Sequence, residues 1–124
     1  IKDDENEIKL ALKRLNKNGN LIIMVPAFQF LYSNYDKSIG HFRRYRKNFF
    51  INYGKKNKIK LVKIIYFDSM GFLFVCLNRL INSKKKSSVN IGTFIWNLCV
   101  PISRFLDKVL GFSIGKSILC IYKK

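Results

Sequence analysis

The chain has 124 residues, 48% hydrophobic and 15% aromatic, with a formal charge of +17 from 24 Lys and Arg against 7 Asp and Glu. That apolar content excludes wholesale disorder, and the length suits one domain. The charge admits a polyanionic partner, but lysine in excess over arginine, beside abundant Asn, Ile and Phe, fits the drift of an AT-rich coding sequence better than an evolved nucleic-acid face.

The first residues from Ile1 read as the entry to a helix, so the chain is expected to be the later part of a longer protein. Asp4 and Glu7 have the spacing of a capping box with Asp4 at the N-cap. Ile8, Ala11, Leu12 and Leu15 recur at helical spacing, Lys9, Lys13 and Arg14 point outward, and Asn18-Gly19 supplies the stop. The continuous apolar run Leu21 to Val25 predicts a strand covered on both faces, as in a parallel sheet. Helix, short turn and buried strand make half of a βαβ unit whose first strand is missing.

From Pro26 to Tyr45 no period holds, and a loop of that length in a compact domain is more often functional than idle. It concentrates the single histidine, His41, with Asp36, Arg43, Arg44, Tyr32, Tyr35 and Tyr45. Arg46 to Lys56 predicts a short helix with Phe49, Phe50 and Tyr53 on one side. Ile59 to Phe67 predicts a strand whose Lys60 and Lys63 mark a partly exposed edge.

Asp68 to Gly71 turns the chain into an apolar stretch, helical to about Ile81. A polar linker follows from Asn82 to Asn90, centred on Lys84, Lys85 and Lys86. Beyond it Phe94, Ile95, Leu98, Ile102, Phe105, Leu106, Val109 and Leu110 keep helical spacing, with Pro101 expected to kink or divide the helix. Both stretches fall short of the roughly 20 uninterrupted apolar residues that span a bilayer. Gly111 and Gly115 punctuate, and Ser117 to Tyr122 predicts a last strand.

Cys76, Cys99 and Cys120 are odd in number and set in apolar sequence, which suggests neither a disulfide framework nor a zinc site. A single histidine argues against an imidazole-built metal centre. The amino end is acidic and polar, unlike a signal peptide, so a cytoplasmic location is expected, with membrane association open.

The succession helix, Gly19-Asn20, apolar strand, Val25-Pro26-Ala27, then Tyr32, Asp36, Gly40-His41 and Arg43-Arg44-Tyr45 resembles the later half of bacterial class I S-adenosylmethionine-dependent methyltransferases. The nearest likeness is to the type-11 and type-12 small-molecule enzymes, in which a Val-Pro-Ala strand end precedes a Gly-His-x-Arg-Arg-Tyr segment. It continues through Tyr66-Phe67-Asp68, Val100-Pro101, Arg104-Phe105-Leu106-Asp107 and Gly115-Lys116-Ser117-Ile118-Leu119. The resemblance implies an α/β fold: strands five, six and seven of a Rossmann-like seven-strand sheet, the last inserted antiparallel between the other two. An apolar helical insert, residues 71–110, would precede that last strand. The cofactor would be S-adenosylmethionine and the acceptor a small or lipid-like molecule. The glycine-rich turn and the acid that hold the cofactor in such folds have no counterpart here, and Gly111-x-x-x-Gly115 precedes a strand instead of linking strand to helix. Only Ile1 to Asp4, with Asp3 and Asp4 as its cofactor-binding residues, would approach the cofactor, so the fragment alone would be inactive.

Each site residue carries two readings. His41 is a general base or acceptor-orienting group, or a loop anchor. Arg43 and Arg44 bind a phosphate or carboxylate of the substrate, or tie the loop to Asp36 and to carbonyls. Tyr32, Tyr35 and Tyr45 line an acceptor pocket, or pack the loop. The apolar insert is a lid or groove for a lipid-like acceptor, an interfacial surface with Lys84 to Lys86 on anionic headgroups, or helices packed on the sheet. The rival to the enzyme is a noncatalytic basic module for nucleic acid or an anionic membrane surface.

Overall fold

The computed structural model describes residues 1–81 and 89–124. The chain is α/β, with a three-strand antiparallel sheet and five helices among the described residues. It divides into two compact units, residues 1–65 with 117–124, and residues 66–116.

In the first unit α1 (Asp4–Arg14) is followed by β1 (Asn20–Pro26), a 3₁₀ turn (Gln29–Leu31), α2 (Asn34–Ser38), α3 (Lys47–Lys56) and β2 (Lys60–Phe67), whose last two residues are assigned to the second unit. The last strand, β3 (Ser117–Lys123), lies between β1 and β2. It pairs antiparallel with β1 from Asn20 opposite Lys123 to Pro26 opposite Ser117. Leu21, Ile23 and Val25 therefore align with Tyr122, Cys120 and Ile118, and those three β3 residues are fully buried. On that face Tyr122 donates its hydroxyl to the Phe50 carbonyl of α3 at 2.7 Å, and its ring meets Tyr53 at 6.1 Å. Ile8 and Leu12 complete the core from α1. Burying such side chains stabilises the unit by roughly 1.5–3 kcal/mol each.

Several expectations need correction. The N-cap of α1 is Asp3, which accepts from Asn6 N at 3.1 Å; Asp4 lies one residue inside the helix. The helix ends at Arg14, four residues before Asn18, because Leu15 turns extended and its N–H bonds back to the Leu12 carbonyl. Asn18, at φ 65, instead forms the turn into β1. β1 is covered on one face only, since Ile22 and Met24 remain 63% and 69% exposed. Its neighbour is antiparallel, and a strand at a sheet edge alternates in burial where a central parallel strand does not.

In the second unit α4 (Ser69–Ile81) packs against α5 (Val89–Val109). Helix α4 begins at Ser69, so most of the expected Asp68-to-Gly71 turn is already helical. Asp68, at φ 69, carries the turn alone. Helix α5 runs unbroken through Pro101, which does not divide it. The ring lies on the exposed side, where water is available to the carbonyl that loses its N–H partner. The polar linker ends earlier than expected, since Val89 and Asn90 are helical, and residues 82–88 lie outside the described residues. Gly115 fits where no Cβ would: one built there lies 2.2 Å from the Phe67 carbonyl oxygen.

Candidate functional site

The loop after β1 is closed at its base. Ala27, fully buried, makes a parallel bridge to Tyr45: Phe28 N donates to the Tyr45 carbonyl at 2.8 Å and Tyr45 N to the Pro26 carbonyl at 2.9 Å. Inside that closure sits a helix that the aperiodic sequence concealed. Ser33 caps α2, its N–H and hydroxyl both bonding Asp36 Oδ2, at 3.0 and 3.1 Å. Gly40, at φ 81, takes the left-handed position just past the helix end. His41 N then closes onto the Asp36 carbonyl at 2.8 Å. The Ser33-x-x-Asp36 spacing and Gly40 are cap signals readable in the sequence, but a helix of five residues is too short to show an apolar period.

Asp36 is the hub of the loop. It is 1% exposed, and Arg44 grips both its oxygens, Nε to Oδ1 at 3.0 Å and Nη2 to Oδ2 at 2.9 Å. His41 Nδ1 lies 3.1 Å from Oδ1. Burial pushes the Asp36 carboxyl up, but the hydrogen bonds from Arg44, His41 and Ser33 outweigh it and hold the group below its ordinary value. An ionised carboxylate only accepts, so the proton of this contact belongs to His41 Nδ1. In the tautomer this contact selects, Nε2 carries the acceptor lone pair.

Arg44 itself is nearly buried and also donates to the Ala27 carbonyl at 3.3 Å, while its backbone N–H is taken by Gln29 Oε1 at 2.8 Å. No pattern in the sequence signals that Gln29 contact. Asp36 and Arg44 are thus joined to each other and turned away from solvent. Tyr32 hydroxyl donates to the His41 carbonyl at 2.6 Å. Tyr35 is 68% exposed; its carbonyl accepts from the Ser38 hydroxyl.

A cavity of about 310 Å³ is walled by β1 at Leu21 and from Ile23 to Pro26, by Ile1, Asp4, Glu7, Ile8 and Ala11, and by the segment Gly40 to Arg43 with Tyr45, Phe49 and Phe50. It brings His41, Arg43, Tyr45 and Asp4 to one concavity and leaves Asp3, Tyr32, Tyr35, Asp36 and Arg44 out of its lining. Arg43 reaches from the loop to α1, its Nη1 3.1 Å from Asp4 Oδ2 and its Nη2 donating to the Lys2 carbonyl at 2.9 Å. Asp4 Oδ2 is buried and receives no aligned hydrogen bond. The Tyr45 hydroxyl is pushed well up, by burial first and then by the Asp4 carboxylate beside it, and its ring packs on Phe49 and Phe50.

No family model, no curated protein and no solved structure matches this chain. The geometry is therefore the ground for any functional reading. For S-adenosylmethionine the fit is partial. The Asp4 carboxylate at the cavity wall suits a hydroxyl or ammonium donor, although Arg43 already stands 3.1 Å from it, and among the described residues no glycine-rich turn cradles the rest of such a molecule. The lysines at 84–86, expected on anionic headgroups, lie outside the described residues. Among the described residues no helix is long and apolar enough to cross a membrane.

Proposed function

We propose that the chain forms the acceptor side of an S-adenosylmethionine-dependent methyltransferase acting on a small or lipid-like molecule. The observation that carries this reading is the buried Asp36 orienting His41 at the wall of a largely apolar cavity beside β1. The sheet order β1-β3-β2, with the final strand antiparallel between the other two, supports the wider likeness to the last three strands of that sheet. Ligand crevices of open α/β sheets lie at the carboxyl ends of strands, and the loop carrying His41 leaves the carboxyl end of β1.

In this reading Asp36 and Arg44 are positioning residues. They fix the imidazole so that Nε2 accepts a proton from the acceptor hydroxyl or amine. Ile8, Ala11, Phe42 and Phe49 exclude water from the acceptor's body. Arg43 and Asp4 frame its polar end. The methyl donor would be the cofactor's sulfonium, held mainly by groups outside these residues, and the rate advantage comes mostly from alignment.

Calorimetry of the complete gene product with S-adenosylmethionine tests the reading, followed by methyl-transfer assays on small-molecule and lipid extracts. Binding is expected, with His41→Ala lowering transfer by about 10²–10⁴-fold at unchanged cofactor affinity. Absence of cofactor binding sinks the enzyme. Strongly salt-dependent DNA binding in its place favours the basic module.

A further inference from the structure

The second unit carries an apolar surface that its own packing leaves bare. Helix α5 is fixed to the start of α4 by two residues one turn apart. Asp107 accepts from Asp68 N at 2.9 Å and Ser69 N at 2.8 Å, and Ser103 Oγ lies 3.4 Å from both Met70 N and Asp68 Oδ1. Because Ser103 and Asp107 hold one side of α5, Ile102, Phe105 and Val109, at spacings of three and four, line another. These three are 51%, 67% and 66% exposed.

The charges beside this surface are of one sign. Residues 66–116 contain only two acids, Asp68 and Asp107. Asp107 is buried under the α4 amino end, and Asp68 is ion-paired with Lys116 at 3.2 Å. Arg104 and Lys108, both exposed, flank the α5 stripe. A stripe of large apolar side chains bordered by cations and bare of acids matches a helix lying in a lipid–water interface, its apolar face among the acyl chains and its cations at anionic headgroups. Nucleic acid supplies the negative charge but offers no apolar phase for Phe105 and Val109. Neither helix is long and apolar enough to span the bilayer, so the contact lies on the surface.

We propose that α5 docks the protein on an anionic membrane surface through Ile102, Phe105 and Val109, with Arg104 and Lys108 on phosphate headgroups. This holds whether or not the chain is a methyltransferase.

Vesicle flotation of the protein tests it, using phosphatidylcholine vesicles with and without phosphatidylglycerol. Because the whole chain is cationic, the decisive comparison is an apolar one. The pair Phe105→Ser and Val109→Ser should lower partitioning onto anionic vesicles by at least about tenfold, since each exposed apolar side chain contributes through the area it buries. Arg104→Gln with Lys108→Gln should lower it by about thirtyfold at low ionic strength, the two cations together. All four positions are exposed, and an unchanged far-UV circular dichroism spectrum verifies the fold. Wild-type protein that stays off anionic vesicles overturns the proposal. So does a serine variant that binds as well as wild type, which would reduce the contact to general charge. A serine variant that changes self-association and leaves vesicle binding intact overturns it too, assigning the stripe to a protein partner.

Discussion

Asp36 and Asp107 are both buried, at 1% and 6% exposure, yet the chain neutralises them differently. Asp107 sits at the amino end of α4 and accepts from two backbone N–H groups there; its compensation is a helix terminus, which neither titrates nor changes rotamer. Asp36 is compensated chiefly by side chains, the Arg44 fork and the His41 ring, and that ring also lines a cavity. The first arrangement can only fasten one helix to another. The second passes the orientation of a fixed carboxylate to an imidazole at a cavity wall.

The sharpest way to break this contrast is Asp36→Asn. It removes the charge facing the nearly buried Arg44, and uncompensated buried charges cost about 3–5 kcal/mol, so urea unfolding near neutral pH should show a loss of that size. Acid sharpens the same test. The folded-state value of Asp36 lies below the ordinary one, so the unfolded chain takes up the proton first as pH falls. The stability contributed by the ionised carboxylate is complete above the ordinary carboxylate range and disappears as pH falls through the lower folded-state value. The gap between wild type and Asp36→Asn should therefore hold down to about pH 4 and close below it. A gap already closed at pH 6 would mean that the folded-state carboxyl lies above its ordinary value, so that burial outweighs the hydrogen bonds from Arg44, His41 and Ser33.

The two regions also differ in how far the sequence exposes them. Helices α1, α3 and α4 and all three strands follow from apolar spacing, with boundaries displaced where a single residue turns the chain, as Leu15 and Asp68 do. The site residues cluster visibly in the sequence because His41 is unique and Asp36 and Arg44 are near neighbours. Their division of labour was not visible. Which arginine turns inward depends on the bridge between Ala27 and Tyr45, which aims Arg44 at Asp36 and Arg43 at Asp4. That is a tertiary relation with no local period. The role of Asp107 was equally hidden, since its partners lie 38 and 39 residues away in sequence. Pro101 misled for a related reason, as its cost depends on the exposure of that helix side.

A middle-sized effect tests the other half of the contrast. Asp107→Ala leaves Asp68 N and Ser69 N without their acceptor, and losing a helix-capping carboxylate costs about 1–2 kcal/mol. Asp107→Asn keeps an acceptor oxygen and should recover part of that loss. Thermal unfolding monitored by circular dichroism can rank the three proteins. An Asp107→Ala loss as large as that of Asp36→Asn would show that the helix cap carries more charge compensation than its two backbone donors imply.

The smallest expected effect belongs to Arg43, and its smallness is informative. Its side chain is 46% exposed, and its pairing with Asp4 reaches between the loop and α1 at the cavity wall. Solvent screens such a pair, and holding a long side chain in place offsets much of the Coulomb gain, so Arg43→Ala should cost less than about 1 kcal/mol in urea unfolding. Arg44→Ala should cost several times more, because it strands a buried carboxylate. Adjacent arginines of equal charge would then separate by environment alone, one holding the loop together and the other making a screened link from the loop to α1 at the cavity wall. Equal losses for the two variants would place Arg43 in the scaffold as well and leave His41 as the loop residue open to chemistry.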